Sequence, residues 1–275
     1  MMYSIAIYMV SILNLNLKGK TAIVSASSRG IGRAIAYGLA REGANVTILA
    51  RNKEQLYKTA KEISSATGSE VLPIIADVTK KEDIEIVVRK TIDTFGTVHI
   101  LVNNSGGPPS GYFEDFSDSD WIKAFELLVL NPIRFIRLVL PYMKKQKWGR
   151  IINIVSVSVK EPIDNLILSN SLRSAVVGIA KTLSNLVAEY NITINNVAPG
   201  PTFTSRIKDL IKAQVKQKGI TEEEVKNAWT QKVAMKRFGK PEEIADMVVF
   251  LASERASFIT GTTIQVDGGY VKSLL

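Results

Sequence analysis

The chain has 275 residues, enough to bury a large core in one piece, and its composition, 46% hydrophobic and 22% charged, excludes extensive disorder. It has no cysteine, which excludes disulfides and thiolate metal sites, and its single histidine, His99, excludes a multi-histidine metal centre, so no metal is expected. The formal charge of +9 comes from scattered lysines and arginines with only modest clusters such as Lys144, Lys145 and Lys147, a pattern that does not mark a nucleic-acid surface.

Residues 1–16 begin with an apolar run that lacks the basic opening and cleavage site of a secretory signal and is shorter than the ~20 apolar residues that span a bilayer. No membrane partner is therefore expected, and the expected location is the cytoplasm. The run reads as an edge strand, a subunit contact or an overextended start with Met9 as the alternative initiator; the last is preferred because regular periodicity begins near Leu17.

From there, apolar β-rich segments recur at 21–26, 45–50, 71–77, 99–104, 150–156, 192–198 and 263–269, as near-continuous hydrophobic runs typical of strands buried on both faces. Helical patterns alternate with them, for instance Ile31, Ile35 and Leu39, then Ile84, Val88 and Ile92. The alternation predicts a Rossmann-type, doubly wound α/β fold: a mostly parallel seven-stranded sheet with helices on both faces, one domain over 17–275. Ligands on such sheets bind beyond the carboxyl ends of the strands, where strand order reverses.

The first strand runs into SASSRGIG, whose residues Ser25, Ser27, Ser28, Arg29, Gly30, Ile31 and Gly32 are the candidate pyrophosphate cradle. Gly30 and Gly32 let the backbone approach a phosphate, and the helix that follows offers free N–H groups and its positive dipole end. The second strand ends ILARN, with Arg51 where a fold selective for NAD usually places a carboxylate against the ribose hydroxyls. A guanidinium pairs with a 2′-phosphate through two parallel hydrogen bonds, and Arg29 adds a second cation, so NADP(H) is preferred over NAD(H).

Farther along, Tyr112 lies in the loop PPSGYFEDF after the fourth strand, on the ligand side, as a candidate acid or a surface contact. Long helices are predicted over 118–146 and 167–190. Lys160 and Glu161 follow the fifth strand and read as a solvated ion pair, and His99, at the opposite end of its strand, is given no role. Residues 205–236 read as two amphipathic helices broken at Gly219, either a lid or a subunit contact.

The order SASSRGIG, DVT (77–79), NNSGG (103–107), GRIINIVSVS (149–158), NNVAPGPTFT (195–204), RFGKPEEIADMVVFLAS (237–253) and ITGTTIQVDGG (259–269) resembles the short-chain dehydrogenase/reductase family from about Leu17 to Tyr270. The resemblance implies that Asp77 and Val78 flank an adenine and that Asn103, Ser105 and Gly106 line the cofactor channel. It also implies that Pro199, Gly200 and Thr204 hold the nicotinamide end, and that the chain forms a homodimer or homotetramer on the two long helices. Ala26 stands where the family usually has its first glycine, and Ser105 where it has alanine.

Most members of that family use a serine after the fifth strand, a tyrosine thirteen positions on, a lysine four beyond, and an asparagine on the preceding long helix. Only the serine, Ser156, is matched; Ser169, Arg173 and Leu128 occupy the other positions. A serine hydroxyl is a far weaker acid than a tuned phenol, so Ser169 passes a proton only within a relay, while Arg173 is suited to the nicotinamide ribose. Pro132 has no N–H for the carbonyl four residues earlier, which suggests a free carbonyl at Leu128 facing a relay water. Two readings follow: an NADP(H)-dependent oxidoreductase of a small or medium carbonyl, alcohol or activated alkene with a non-standard proton relay, or an NADP(H)-binding sensor or assembly protein without turnover.

Overall fold

A computed structural model describes residues 14–274. The apolar run at 1–13, with its three readings, lies outside the described residues, whereas Leu17 is buried in the core and Leu15 packs against it.

The strands are β1 (Thr21–Val24), β2 (Asn45–Ala50), β3 (Val71–Ile75), β4 (Ile100–Asn103), β5 (Gly149–Ile154), β6 (Ile192–Pro199) and β7 (Thr263–Val266). They form one sheet in the order β3-β2-β1-β4-β5-β6-β7, every pair parallel. All seven coincide with the apolar runs, because a parallel strand covered by helices on both faces has no solvent side that would demand polar alternation. The chain steps outward from β1 to β3 and returns to set β4 against β1, so the order reverses between β1 and β4 and a crevice opens beyond their carboxyl ends.

One face is covered by α1 (Gly30–Arg41), α2 (Lys53–Thr67) and α9 (Pro241–Leu251), and the other by α3 (Lys81–Phe95), α5 (Asn131–Lys145) and α6 (Ile167–Val187). The helical spacing works as predicted: Ile35 and Leu39 of α1 and Ile84 of α3 are fully buried. Each such side chain contributes on the order of 1.5–3 kcal/mol by leaving water. Gly38 lets α1 approach α9, since a Cβ there would stand 2.9 Å from Val249. The 205–236 insertion folds as α7 (Ser205–Lys218) and α8 (Glu222–Thr230), separated at Gly219, whose φ of +66° suits a glycine cap.

Two predicted helices are interrupted. The second long one ends at Val187 and tightens into a 3₁₀ turn over Ala188–Tyr190. The first is α4 (Asp118–Phe125), a π segment Glu126–Leu130, then α5. Proline 132 supplies the cause: its ring would clash with the carbonyl four residues earlier, and one extra residue in the turn relieves this. The Asn131 N–H accordingly reaches back five residues to the Glu126 carbonyl. In this register the carbonyl facing Pro132 is that of Leu127 rather than Leu128, and Asn131 Nδ2 donates to it at 3.3 Å. The expectation of a lone carbonyl at Leu128 is thereby corrected.

Candidate active site

The turn after β1 is held by side chains that bond back into the sheet. Ser25 Oγ donates to the Asn104 carbonyl at 2.6 Å and accepts from the Asn104 N–H at 2.8 Å. Ser27 Oγ donates to the Val24 carbonyl and accepts from the Leu49 N–H. The backbone N–H groups of both serines are also engaged, with Val102 and Leu49. Ser25 and Ser27 therefore shape the turn and have no donor left for a phosphate, a correction to their expected role as direct contacts.

Gly32 is crowded, as a Cβ would lie 2.4 Å from the Ala26 carbonyl and 2.8 Å from Asn104 Nδ2. Gly30, at φ +57°, meets nothing nearer than the Thr204 methyl at 3.5 Å, and a Cβ on Gly106 would meet nothing within 4 Å. Bare backbone thus faces the crevice at Gly30 and Gly106, and the first turn of α1 has no capping side chain on its N–H groups. These features fit the diphosphate of a dinucleotide. Ser28, Arg29, Gly30, Ile31 and Gly32 would hold it, with Ile31 half-buried against the core and Arg29 exposed at the helix start.

At the end of β2, Arg51 is 82% exposed and stands 3.9 Å from Asp77 across the gap to β3. Burial alone would raise the Asp77 carboxyl, but hydrogen bonds from the Thr79 N–H and hydroxyl, with Arg51 and Lys80 nearby, hold it below its ordinary value. The Val78 side chain is buried in the core, so only its backbone is available to a ligand.

Three asparagines cross the sheet in register. Asn103 Nδ2 donates to Asn153 Oδ1 at 2.9 Å, Asn153 Nδ2 to Asn196 Oδ1 at 3.0 Å, and Asn196 Nδ2 to Thr263 Oγ1 at 3.1 Å. The pairing follows the strand register from β4 to β7. Beside the first of them lies a cavity of about 10 Å³, lined by Asn103, Ser105, Leu128, Asn131 and Arg173 among others. Arg173, on α6, donates from Nη1 to the Ile154 carbonyl at 2.8 Å, which seats the guanidinium under the end of β5.

Beyond β5, Ser156 caps a short 3₁₀ turn, Val157–Val159, by accepting the Ser158 N–H at 3.1 Å. Ser158 Oγ stands 3.3 Å from Ser169 Oγ, and both serines are buried. Ser156, Ser158 and Ser169 thus form a hydroxyl cluster at the carboxyl end of β5, with Arg173 one helical turn beyond Ser169. The loops around it are tied together: the Gly111 N–H donates to the Asn165 carbonyl and the Lys272 N–H to Glu161. Glu161 is therefore bonded to the C-terminal backbone, where a Lys160–Glu161 ion pair was expected.

The structure gathers Gly30 with Thr204, and Asn103, Ser105 and Arg173 around one cavity. Pro199 ends β6, and the next residue, Gly200, is packed so closely that a Cβ would lie 2.7 Å from Asp267. Tyr112 is apart from the serines in hydrogen bonding and 60% exposed; its backbone N–H donates to Asp115. Sequence reasoning passed over Asn104, Asn131, Asn153 and Asn196, and read Ser158 only as a residue that could cap its loop. The doubled asparagines at 103–104 and 195–196, polar inside apolar strands, were the signal available.

The family described as enoyl-(acyl carrier protein) reductase matches residues 25–271. D-beta-hydroxybutyrate dehydrogenase of Rhizobium meliloti is 34% identical over 255 residues, 91% of this chain and 98% of that one. A 3-oxoacyl-[acyl-carrier-protein] reductase of Thermotoga maritima is 31% identical, covering 94% of this chain and all of its own. Among solved structures, L-sorbose reductase from Gluconobacter frateurii, complexed with NADPH and L-sorbose, superposes with a TM-score of 0.92 at 33% identity over 95% of this chain and 100% of that one. With its sheet order, glycine turn and site serine in place, the chain belongs to the short-chain dehydrogenase/reductase family of oxidoreductases.

Proposed function

We propose that the chain is an NADP(H)-dependent oxidoreductase acting on a small or medium carbonyl, alcohol or activated alkene. The observation that carries this reading is the convergence of Ser156, Ser158, Ser169 and Arg173 at the carboxyl end of β5, next to the β1–β4 crevice that fits a dinucleotide. The cofactor, when bound, supplies or accepts a hydride.

The chain's own residues do the rest. Ser156 keeps its O–H free to donate to a substrate oxygen, because the bond to Ser158 uses it as an acceptor. Ser158 and Ser169 form the buried part of the proton relay, with water as the link to solvent and Tyr112 as the alternative donor that Tyr112→Phe tests. The fixed positive charge of Arg173 lowers the cost of negative charge developing nearby and leaves the guanidinium suited to ribose hydroxyls. Because no hydroxyl here is a strong acid, the reading favours substrates whose product anion is already stabilised, such as 1,3-dicarbonyls.

The preference for NADP(H) rests on Arg51 and Arg29 and on the absence of a carboxylate from the end of β2 itself, Asp77 lying one strand over. Asp77, Val78, Asn103, Ser105 and Gly106 would flank the nucleotide, with Pro199, Gly200 and Thr204 at its nicotinamide end. The same reading takes residues 17–275 as one domain of a cytoplasmic homodimer or homotetramer.

NADPH oxidation over a panel of ketones, dicarbonyls and activated alkenes tests the proposal, with turnover expected to survive Tyr112→Phe and fall with Ser156→Ala. The replacement of the family's usual tyrosine and lysine by Ser169 and Arg173 favours a second reading, an NADP(H)-binding protein without turnover. Bound NADPH with no oxidation anywhere on the panel would establish that alternative.

A further inference from the structure

Two buried amide oxygens beside the cavity are unexplained by the reading above. Asn131 is 2% exposed and Asn103 is 4% exposed, and the Oδ1 of each lacks a hydrogen-bond partner within the protein. Both side chains line the cavity that Arg173 also lines. A buried acceptor left without a donor has lost its hydration with nothing in return, so two of them around one small space call for a common donor.

The other ends of both amides fix which way they point. Asn131 Nδ2 is bound to the Leu127 carbonyl, the one that faces Pro132 in the π register. Asn103 Nδ2 is bound to Asn153 Oδ1, and the line continues to Asn196 and Thr263 with every amide pointing the same way. Turning Asn103 over would set its oxygen against the Asn153 oxygen. Aligned amides also polarise one another, which strengthens the terminal Asn103 oxygen as an acceptor. The space, about 10 Å³, is about the least that holds one water. A water has two O–H donors for the two amide oxygens and a lone pair for an N–H of Arg173.

We propose that one buried water, donating to Asn103 Oδ1 and Asn131 Oδ1 and accepting from the Arg173 guanidinium, fixes the pose of Arg173 and makes Asn131 a positioning residue for it. The polar group missing at Leu128 is supplied from three residues later, on the turn that the π segment rotates into the site. The proposal rests on the NADP(H) reading only for what Arg173 then binds; the water itself does not depend on turnover.

A high-resolution crystal structure of the wild-type protein is the first test. A water within hydrogen-bond distance of both amide oxygens and Arg173 is expected, and a cavity without one overturns the proposal whether or not NADPH binds. The second test is a double-mutant cycle read by NADPH fluorescence titration. Asn131→Leu, which removes the acceptor and fills the space, is expected to weaken NADPH binding about tenfold. In an Arg173→Ala background the same change is expected to have less than about a twofold effect, while in an Arg51→Ala background it keeps its full effect. Equal losses in both backgrounds would make the role of Asn131 structural only and refute the positioning role. Should Asn131→Leu fail to fold, Asn131→Ser, which loses the amide but leaves the cavity polar, enters the same cycle with the same expected signs. Wild-type protein that binds no NADPH would sink the cofactor reading and leave the crystallographic water to decide this one.

Discussion

Ala26 sits in the turn between β1 and α1 at φ +48°. An L-residue in this left-handed region loses about 1–2 kcal/mol that glycine does not lose. The conformation persists because neighbours hold it: Asn104 Nδ2 donates to the Ala26 and Ser25 carbonyls at 3.2 Å, and the Ser25 hydroxyl is locked to the Asn104 backbone. Replacing Ala26 with glycine releases the strain while loosening the unfolded chain by about 0.4–1 kcal/mol. The expected net result is a stabilisation of somewhat under 1 kcal/mol. The same chemical edit at Ala36, fully buried within α1, has no strain to release. There it costs about 1 kcal/mol in helix propensity and about 0.8 kcal/mol in lost methyl burial. The two variants should therefore differ by roughly 2–3 kcal/mol with opposite signs. Urea unfolding without cofactor, extrapolated linearly to water, measures both. If Ala26→Gly destabilises the protein as Ala36→Gly does, the strain at Ala26 is not real and the reasoning fails.

Other outcomes follow from the same geometry. Gly32→Ala places a Cβ 2.4 Å from a backbone oxygen, so the turn must open, and NADPH affinity should fall by more than about tenfold in fluorescence titration. Arg51→Glu should weaken NADPH binding by about 10–100-fold while leaving NADH within a few-fold; equal loss of both would show that Arg51 does not read the 2′-phosphate. His99 predicts an acid-sensitive slope: burial, with Lys20 nearby, lowers its pKa to about 4, and its Nδ1 accepts the Thr21 N–H. The unfolded chain thus binds the extra proton first, so the contribution of His99 is complete above about pH 6.5 and is lost as pH falls toward 4. Because the ring is only partly buried, about 1 kcal/mol is expected between pH 7 and 5. An unchanged slope in His99→Asn, measured by urea midpoints across that range, would remove His99 as its source.

The amino-acid order by itself determined the sheet, since strands covered on both faces must be continuous apolar runs and helices covering one face must repeat at their own period. It also determined the glycine turn and the serine after β5, because a bare backbone near Gly30 and a hydroxyl at a strand end are properties of single positions. Helix continuity was misjudged at 126–130, where the clash of Pro132 shifts the register by one residue and brings Asn131 to the site beside Leu128. Ser25 and Ser27 looked like phosphate contacts in the sequence, yet the fold consumes their hydrogen bonds. Only the tertiary structure decided the asparagine line and the cavity it ends on. Asn103, Asn153 and Asn196 stand 50 and 43 residues apart, and their alignment depends on the register of three strands. Register is a property of packed neighbours rather than of any local pattern, which is why the groups that surround Arg173 came into view only when the sheet was assembled.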